Sequence, residues 1–173
     1  MNVRGVEMNI TITKPETKHT KAIAKICATG WRQTVEGVLS ENYQIENVHF
    51  WYNENKVYHD IKAGTYSHIA LLHDEVVGVI GGGMTGENVG EIFVLYVDET
   101  LRYKGIGRLL LEALTKQQLE SDATEQWVSV QEGNMRGIPF YEARGFVFQG
   151  KKTTVTETGE KQTSLRYNRQ LAE

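Results

Sequence analysis

Cysteine and proline are scarce in this sequence, and long apolar runs are absent. The single cysteine among 173 residues, Cys27, excludes an internal disulfide and any metal cluster built from several cysteines. No apolar stretch approaches the roughly 20 residues that a membrane-spanning helix needs, and the first residues lack the apolar core of a signal peptide. These absences predict a cytoplasmic protein without a membrane partner, for which Met8 offers an alternative start.

An excess of positive charge is also missing. The formal net charge is −3, whereas domains that bind nucleic acid are usually strongly basic, so no nucleic-acid partner is expected. The five histidines show no spacing typical of metal ligands, so no metal site is expected either. With 40% hydrophobic and 24% charged residues, the composition indicates a single globular domain over residues 1–173.

The stretch that carries most information is a strand, a loop and a helix in immediate succession. Residues 91–97 read EIFVLYV, an apolar and β-branched run typical of a buried strand. A polar loop with Gly105 and Gly107 follows, and leucines then recur at helical spacing from Leu109 onwards. The first turn of such a helix has backbone N–H groups without partners and a partial positive charge, which together favour an anion such as a phosphate.

Spacing in the loop distinguishes among the folds that use this arrangement. A dinucleotide fingerprint needs a third glycine where Leu110 stands, and the Gly-Lys-Ser/Thr of a Walker A loop does not occur. The pattern present is Arg102-x-x-Gly105-x-Gly107, with further cations in the same loop. The residues alone indicate a phosphate site and leave its ligand open.

A second pattern follows one helix and one strand later. It reads N-x-x-G-x-x-F-Y-x-x-x-G-F from Asn134 to Phe146. Together with the arginine–glycine loop, it resembles the coenzyme A motifs of the GCN5-related N-acetyltransferase (GNAT) superfamily, in the expected order and separation. Gly137 occupies a small-residue position that is usually alanine in that family. The resemblance covers residues 69–148 well and the N-terminal helices only by pattern.

The resemblance implies an α/β fold of the α+β type, with a mixed, mostly antiparallel central sheet of about six to seven strands and about four flanking helices. It implies acetyl-CoA as the co-substrate, without a metal. Strand main chain and the Asn134 side chain would contact the pantetheine arm, and loop amides would hold the pyrophosphate. The cofactor-binding residues that it implies are Leu95, Tyr96, Val97, Arg102, Tyr103, Lys104, Gly105, Ile106, Gly107, Arg108, Asn134 and Tyr141.

Two side chains are candidates for proton transfer. Tyr141 resembles the tyrosine that protonates the departing thiolate in many family members, which implies a general acid; the alternative is a core tyrosine. Glu91 begins the buried strand, where desolvation would raise the pKa of a carboxylate and suit a general base. A solvated acid at the strand end is the alternative interpretation of Glu91.

The expected activity is transfer of acetyl from acetyl-CoA to a primary amine of a small molecule or a peptide, directly within a ternary complex. Two other hypotheses stay open: a non-catalytic acyl-CoA sensor or interaction module of the same fold, and a nucleotide-binding α/β domain. A route through an acylated cysteine is not expected, because Cys27 belongs to the first predicted helix and reads as a buried structural thiol. A homodimer through the last strands or the sheet edge is compatible with the family.

In the N-terminal part, a strand is followed by a predicted helix to about Gly37 and by a second, shorter helix between Leu39 and Ala63. The aromatic trio Phe50-Trp51-Tyr52 in this region belongs either to the core or to a substrate pocket.

Hairpins are predicted at residues 69–80 and 146–170, the second around a turn at residues 157–160. The glycines at 81–83 predict a bulge or a turn. A helix that Asn134 caps is predicted to keep Pro139 near its first turn, because proline cannot donate a backbone hydrogen bond.

Overall fold

A seven-stranded sheet forms the centre of the computed structural model, which describes residues 9–156 and 159–171. All neighbouring strands are antiparallel except β4 and β5, which are parallel. The order across the sheet is β1-β2-β3-β4-β5-β7-β6. The strands are β1 (Ile10–Thr13), β2 (Tyr66–Leu72), β3 (Glu75–Gly86), β4 (Val89–Val97), β5 (Glu125–Gln131), β6 (Val147–Val155) and β7 (Lys161–Gln170).

Helices cover both faces of this sheet. They are α1 (Thr20–Val35), α2 (Glu41–Trp51), α3 (Glu54–Lys62), α4 (Ile106–Glu120) and α5 (Gly137–Glu142). On one face, Ile23 of α1 and Val57 of α3 are buried against β2 and β3. On the other face, Leu110 of α4 and Tyr141 of α5 belong to a core that includes Val128 of β5. The mixed, mostly antiparallel sheet between helices confirms the predicted fold class.

The segment between Leu39 and Ala63 holds two helices where the sequence predicted one. The division falls at Asn53, whose side-chain oxygen accepts a hydrogen bond of 2.8 Å from the Lys56 amide and so caps α3. The same carboxamide donates at 2.6 Å to the carbonyl of His49 in the last turn of α2. One asparagine therefore ends one helix and starts the next, which apolar periodicity alone does not reveal.

Both predicted hairpins are present, formed by β2 with β3 and by β6 with β7. Residues 157 and 158 of the second predicted turn lie outside the described part of the chain. Pro139 is the third residue of α5, where its missing N–H removes no intrahelical bond, as predicted.

A bulge in β4 separates this strand from its parallel neighbour. Gly81 pairs with Val94 and Gly82 pairs with Ile92, so Phe93 is an extra residue in β4, and the predicted bulge at the triple glycine is confirmed. Pairing between β4 and β5 covers Val89–Ile92 and Glu125–Val128 and ends there. Beyond this point the main-chain groups of β4 that face β5 are available to a ligand.

Candidate active site

A cavity of about 750 Å³ lies at the point where β4 and β5 separate. Residues 92–97 of β4 and 128–131 of β5 form two of its sides, and the loop before α4 and the start of α5 form others. Every predicted cofactor-binding residue except Lys104 lines this cavity. The fold therefore brings both sequence motifs to one place, although they lie about a helix and a strand apart in the chain.

The N-terminus of α4 opens into the cavity without a cap from its own chain. Gly105 is the residue before the helix, has φ of 87° and makes no side-chain capping bond. A side chain there would be strained, because left-handed backbone favours glycine. Gly107 serves a different purpose, since a Cβ at this position would lie 3.3 Å from the ring of Phe140. The free amides of the first turn and the helix dipole together form an anion site.

Four arginines add positive charge to the cavity wall: Arg102, Arg108, Arg136 and Arg144. The guanidinium of Arg102 donates to the side-chain oxygen of Gln33 on α1, which fixes its direction. Burial, and then the nearby charge of Arg136, lower the pKa of Arg102. Lys104, which the sequence placed in the same group, is exposed and does not line the cavity.

Asn134 shapes the start of α5. Its side-chain oxygen accepts from the amides of Arg136 and Gly137, at 3.1 and 2.9 Å. A Cβ on Gly137 would lie 2.7 Å from the Asn134 side-chain nitrogen, which explains the need for a small residue. The Asn134 side chain lines the cavity. Its contact with a pantetheine arm stays a prediction.

Tyr141 is buried on the cavity wall. Its ring makes edge contacts with Phe140 and Phe146, at centroid distances of 5.1 and 5.3 Å. Burial raises the pKa of its hydroxyl above the usual value, so the phenol stays protonated at physiological pH. A protonated phenol at this position can donate a hydrogen bond into the cavity.

Glu91 lies beside the cavity and not on its described wall. Its carboxylate accepts a hydrogen bond of 2.7 Å from Arg166 of β7. The same guanidinium donates to the Ser129 hydroxyl, which does line the cavity, and stacks over the ring of Trp127. The predicted role of Glu91 as a base stays a prediction, and any effect on the cavity passes through Arg166, Ser129 or solvent.

Comparison with known proteins decides the family. The family model described as Acetyltransferase (GNAT) family matches residues 28–146. The chain belongs to this family. Acetyl transfer is accordingly its class of reaction.

Three solved structures illustrate the fold that this GNAT chain shares with its relatives. The PaiA N-acetyltransferase of Thermoplasma acidophilum, in complex with coenzyme A, is 21% identical, with a TM-score of 0.79 over 95% of this chain and 100% of that chain. A GCN5-related N-acetyltransferase of Rhodopseudomonas palustris is 21% identical, with a TM-score of 0.77 over 96% and 99%. The ribosomal-protein-alanine N-acetyltransferase of Brucella melitensis is 22% identical, with a TM-score of 0.67 over 93% and 99%. A search of curated proteins returned no match.

The GNAT motifs do not predict one part of the cavity. Trp31 and Thr34 of α1 line it, and so does Tyr52, which directly follows α2. Tyr52 is therefore the member of the aromatic trio that faces the pocket, whereas Phe50 and Trp51 are exposed. Only tertiary packing brings these helices over the sheet, so no local sequence signal marked Trp31 or Thr34.

A row of neutral polar side chains forms another part of the wall. It consists of Ser129 and Gln131 of β5 and Gln162 and Ser164 of β7. In the sequence these residues occupy alternate positions of two strands, a pattern equally typical of a solvated sheet face.

The part of the chain that the structure describes contains no helix long and apolar enough to cross a membrane. Across residues 9–156 and 159–171, no group of three or more histidine, cysteine, aspartate or glutamate side chains is arranged to hold a metal ion.

Proposed function

We propose that this GNAT chain transfers the acetyl group of acetyl-CoA to a primary amine, directly within a ternary complex. The observation that carries the proposal is the uncapped N-terminus of α4, which opens onto the same cavity as the buried Tyr141. A diphosphate has its natural site at such a helix end, and a thioester arm fits the gap between β4 and β5. The similar PaiA N-acetyltransferase was solved with coenzyme A, which supports this cofactor.

The residues fit the parts of acetyl-CoA in a consistent order. Amides from the loop and first turn of α4, with Arg102 and Arg108, would hold the pyrophosphate. The main-chain groups of Leu95–Val97 that face away from β3 would hydrogen-bond the pantetheine amides, extending β4 as a neighbouring strand would. When bound, the cofactor supplies an acyl group activated as a thioester.

Direct transfer is favoured by the position of the single cysteine. Cys27 is fully buried and does not line the cavity. Burial raises the pKa of its thiol to about 12, so the nucleophilic thiolate is not available near neutral pH. An acyl-cysteine intermediate would need both access and deprotonation, and Cys27 has neither.

Tyr141 is proposed as the acid that serves the departing thiolate. Its phenol is protonated and lines the cavity, so it can donate a hydrogen bond to the sulfur as negative charge develops there. Glu91, or water connected to it past Arg166 and Ser129, is proposed to receive the proton that the amine releases.

Two measurements test the proposal. Isothermal titration calorimetry should show binding of coenzyme A and acetyl-CoA but none of ATP or NAD; the reverse preference would favour the nucleotide-binding hypothesis. Thiol release from acetyl-CoA should then be followed with a panel of primary amines, and acetylated products identified by mass spectrometry. Tight coenzyme A binding with no acetylated amine across the panel would instead support the sensor hypothesis.

Cytoplasmic location and a homodimer stay predictions from the sequence. Size-exclusion chromatography with light scattering would measure the oligomeric state directly.

A further inference from the structure

The ionisable side chains on the described cavity wall include several cations but no acids. Four arginines are present, and the described lining residues include no aspartate, glutamate or histidine. The other titratable groups in this part of the wall are phenols, among them Tyr52, Tyr96 and Tyr141. Burial raises the pKa of these three hydroxyls, so they are neutral and cannot act as bases near neutral pH.

A cationic acceptor would therefore enter an unfavourable environment. An ammonium group would meet no carboxylate partner on the described wall, and Arg102 and Arg108, which would hold the pyrophosphate, offer it none. The nearest acid along β4, Glu91, is already paired with Arg166 at 2.7 Å. The cavity thus favours an amine that arrives without a proton.

Amines differ greatly in the fraction that is unprotonated at a given pH. A lysine-like alkylamine has a pKa near 10.4 and a peptide α-amine one near 7.7–8.0, so at pH 7.5 about a thousandth of the first and about a third of the second is neutral. A cavity wall without a carboxylate partner therefore favours the less basic amine.

The polar part of the cavity wall indicates which chemical group lies next to the amine in the acceptor. Ser129, Gln131, Gln162 and Ser164 offer both donors and acceptors, and the Gln162 carboxamide donates to that of Gln131 at 3.4 Å. Hydroxyl and carboxamide groups of this kind match the N–H and C=O of an amide. An amide next to the amine also lowers the basicity of that amine.

We propose, on the basis of the proposed function, that the acceptor is a weakly basic α-amine followed by an amide, as in a peptide or an aminoacyl amide. It enters the cavity neutral, beside the polar row of β5 and β7. Alkylammonium compounds such as spermidine and lysine side chains are poor acceptors.

Matched acceptors test the inference on the intact protein. The probes are alanyl-alanine amide, which has only an α-amine, Nα-acetyl-lysine amide, which has only an ε-amine, and spermidine. With saturating acetyl-CoA at pH 7.5, kcat/KM for the dipeptide amide should exceed that for the other two by about 100-fold, following the neutral fractions. When the more basic β-alanyl-alanine amide replaces alanyl-alanine amide, the rise of kcat/KM with pH should move to higher pH, because the pKa of the amine is higher.

The outcomes separate this inference from the proposed function. Equal or faster acetylation of the ε-amine or spermidine would overturn the inference and leave the acetyltransferase intact. Coenzyme A binding with no amine acetylated would overturn both.

Variants of the polar row give a second readout. Gln162→Leu should raise KM for the dipeptide amide about tenfold without changing the Kd of coenzyme A. Gln149→Leu, an exposed glutamine of β6 outside the cavity, is the matched control and should change neither. Ser164→Asp should shift preference toward Nα-acetyl-lysine amide, because it introduces the missing carboxylate. An unchanged KM in Gln162→Leu together with unchanged preference in Ser164→Asp would overturn the assignment of this wall.

Discussion

The carboxylate of Glu91 accepts a hydrogen bond of 2.7 Å from Arg166, across the parallel pair of β4 and β5 to β7. The two side chains are 19% and 29% exposed, so the ion pair is partly shielded from solvent. Arg166 also bonds the hydroxyl of Ser129 at 2.7 Å. The pair therefore links a candidate base to the cavity wall through a cation, and either a chemical or a structural role would follow from this geometry.

Substituting each partner in turn separates these roles. If Glu91 removes a proton, Glu91→Gln should lower kcat/KM by about 100-fold or more. It should also abolish the fall of kcat/KM at acidic pH. Arg166→Gln should then affect the rate much less, although it breaks the same pair. Steady-state rates between pH 6 and 9 and urea unfolding of both variants provide the measurement. Equal, small rate losses with equal destabilisation would leave Glu91 a purely structural residue.

Tyr141→Phe removes the hydroxyl and keeps the ring that packs against Phe140 and Phe146. We expect kcat to fall about 100-fold, as is usual for loss of a general acid, while the Kd of acetyl-CoA and the unfolding midpoint stay the same. Because burial raises the pKa of Tyr141, wild-type activity should not decline on its account as pH rises toward 10. Tyr58→Phe on α3, outside the cavity, is the control and should keep full activity. Undiminished kcat in Tyr141→Phe would exclude this role.

Arg102→Glu should weaken coenzyme A binding by about 10- to 100-fold, because a charge-assisted hydrogen bond contributes roughly 1.5–3 kcal/mol. Lys104→Glu makes the same change of charge two residues away, at a side chain outside the cavity wall. It should weaken binding only a few-fold, and that effect should vanish in high salt. Calorimetric titrations at two salt concentrations distinguish the variants. Equal losses would mean that the charge of the loop matters and the position of Arg102 does not.

Gly30→Ala tests the contact between α1 and β4. A Cβ at Gly30 would lie 2.3 Å from the ring of Tyr96, which lines the cavity. Alanine favours a helix over glycine by roughly 1 kcal/mol, but overpacking typically costs about 1–3 kcal/mol, so we expect net destabilisation. Gly150→Ala on β6, where nothing lies within 4 Å of the new Cβ, is the matched control. Urea unfolding that shows Gly30→Ala to be as stable as the wild type would contradict this packing.

We expect His68 to make the free energy of unfolding depend on pH. Burial, and then the charge of Lys14, lower its pKa in the folded chain below the usual 6.5. The unfolded chain therefore binds the proton first, and the stability present above pH 6.5 is lost as pH falls through the folded value. The urea midpoint should drop less between pH 7 and pH 5 in His68→Gln than in the wild type. His73→Gln, in the exposed turn after β2, should behave as the wild type does.

The sequence predicted the local features of the site well because each has a local cause. Gly105 adopts the left-handed backbone that the uncapped start of α4 needs, and Gly145 does the same after α5. Asn134 bonds amides only two and three residues along the chain. Such features depend on a few neighbouring residues, so spacing in the sequence reports them.

The parts that escaped prediction depend on distant partners. Gln33 orients Arg102 from 69 residues away, and Arg166 holds Glu91 from 75 residues away. In the sequence, Gly30 is only a glycine that weakens a helix. The structure shows that the ring of Tyr96 packs against it and leaves no room for a side chain. Lys104 shares the composition of the loop, but the turn directs it to solvent.

The extra residue Phe93 has a consequence for how this architecture diversifies. Because the opening beside it is made where strand pairing ends, its donors and acceptors are peptide groups, which every side chain leaves in place. Mutation can thus change the side chains of the opposite cavity wall while the main-chain opening persists, as expected for chains that keep one shape at about one identical residue in five.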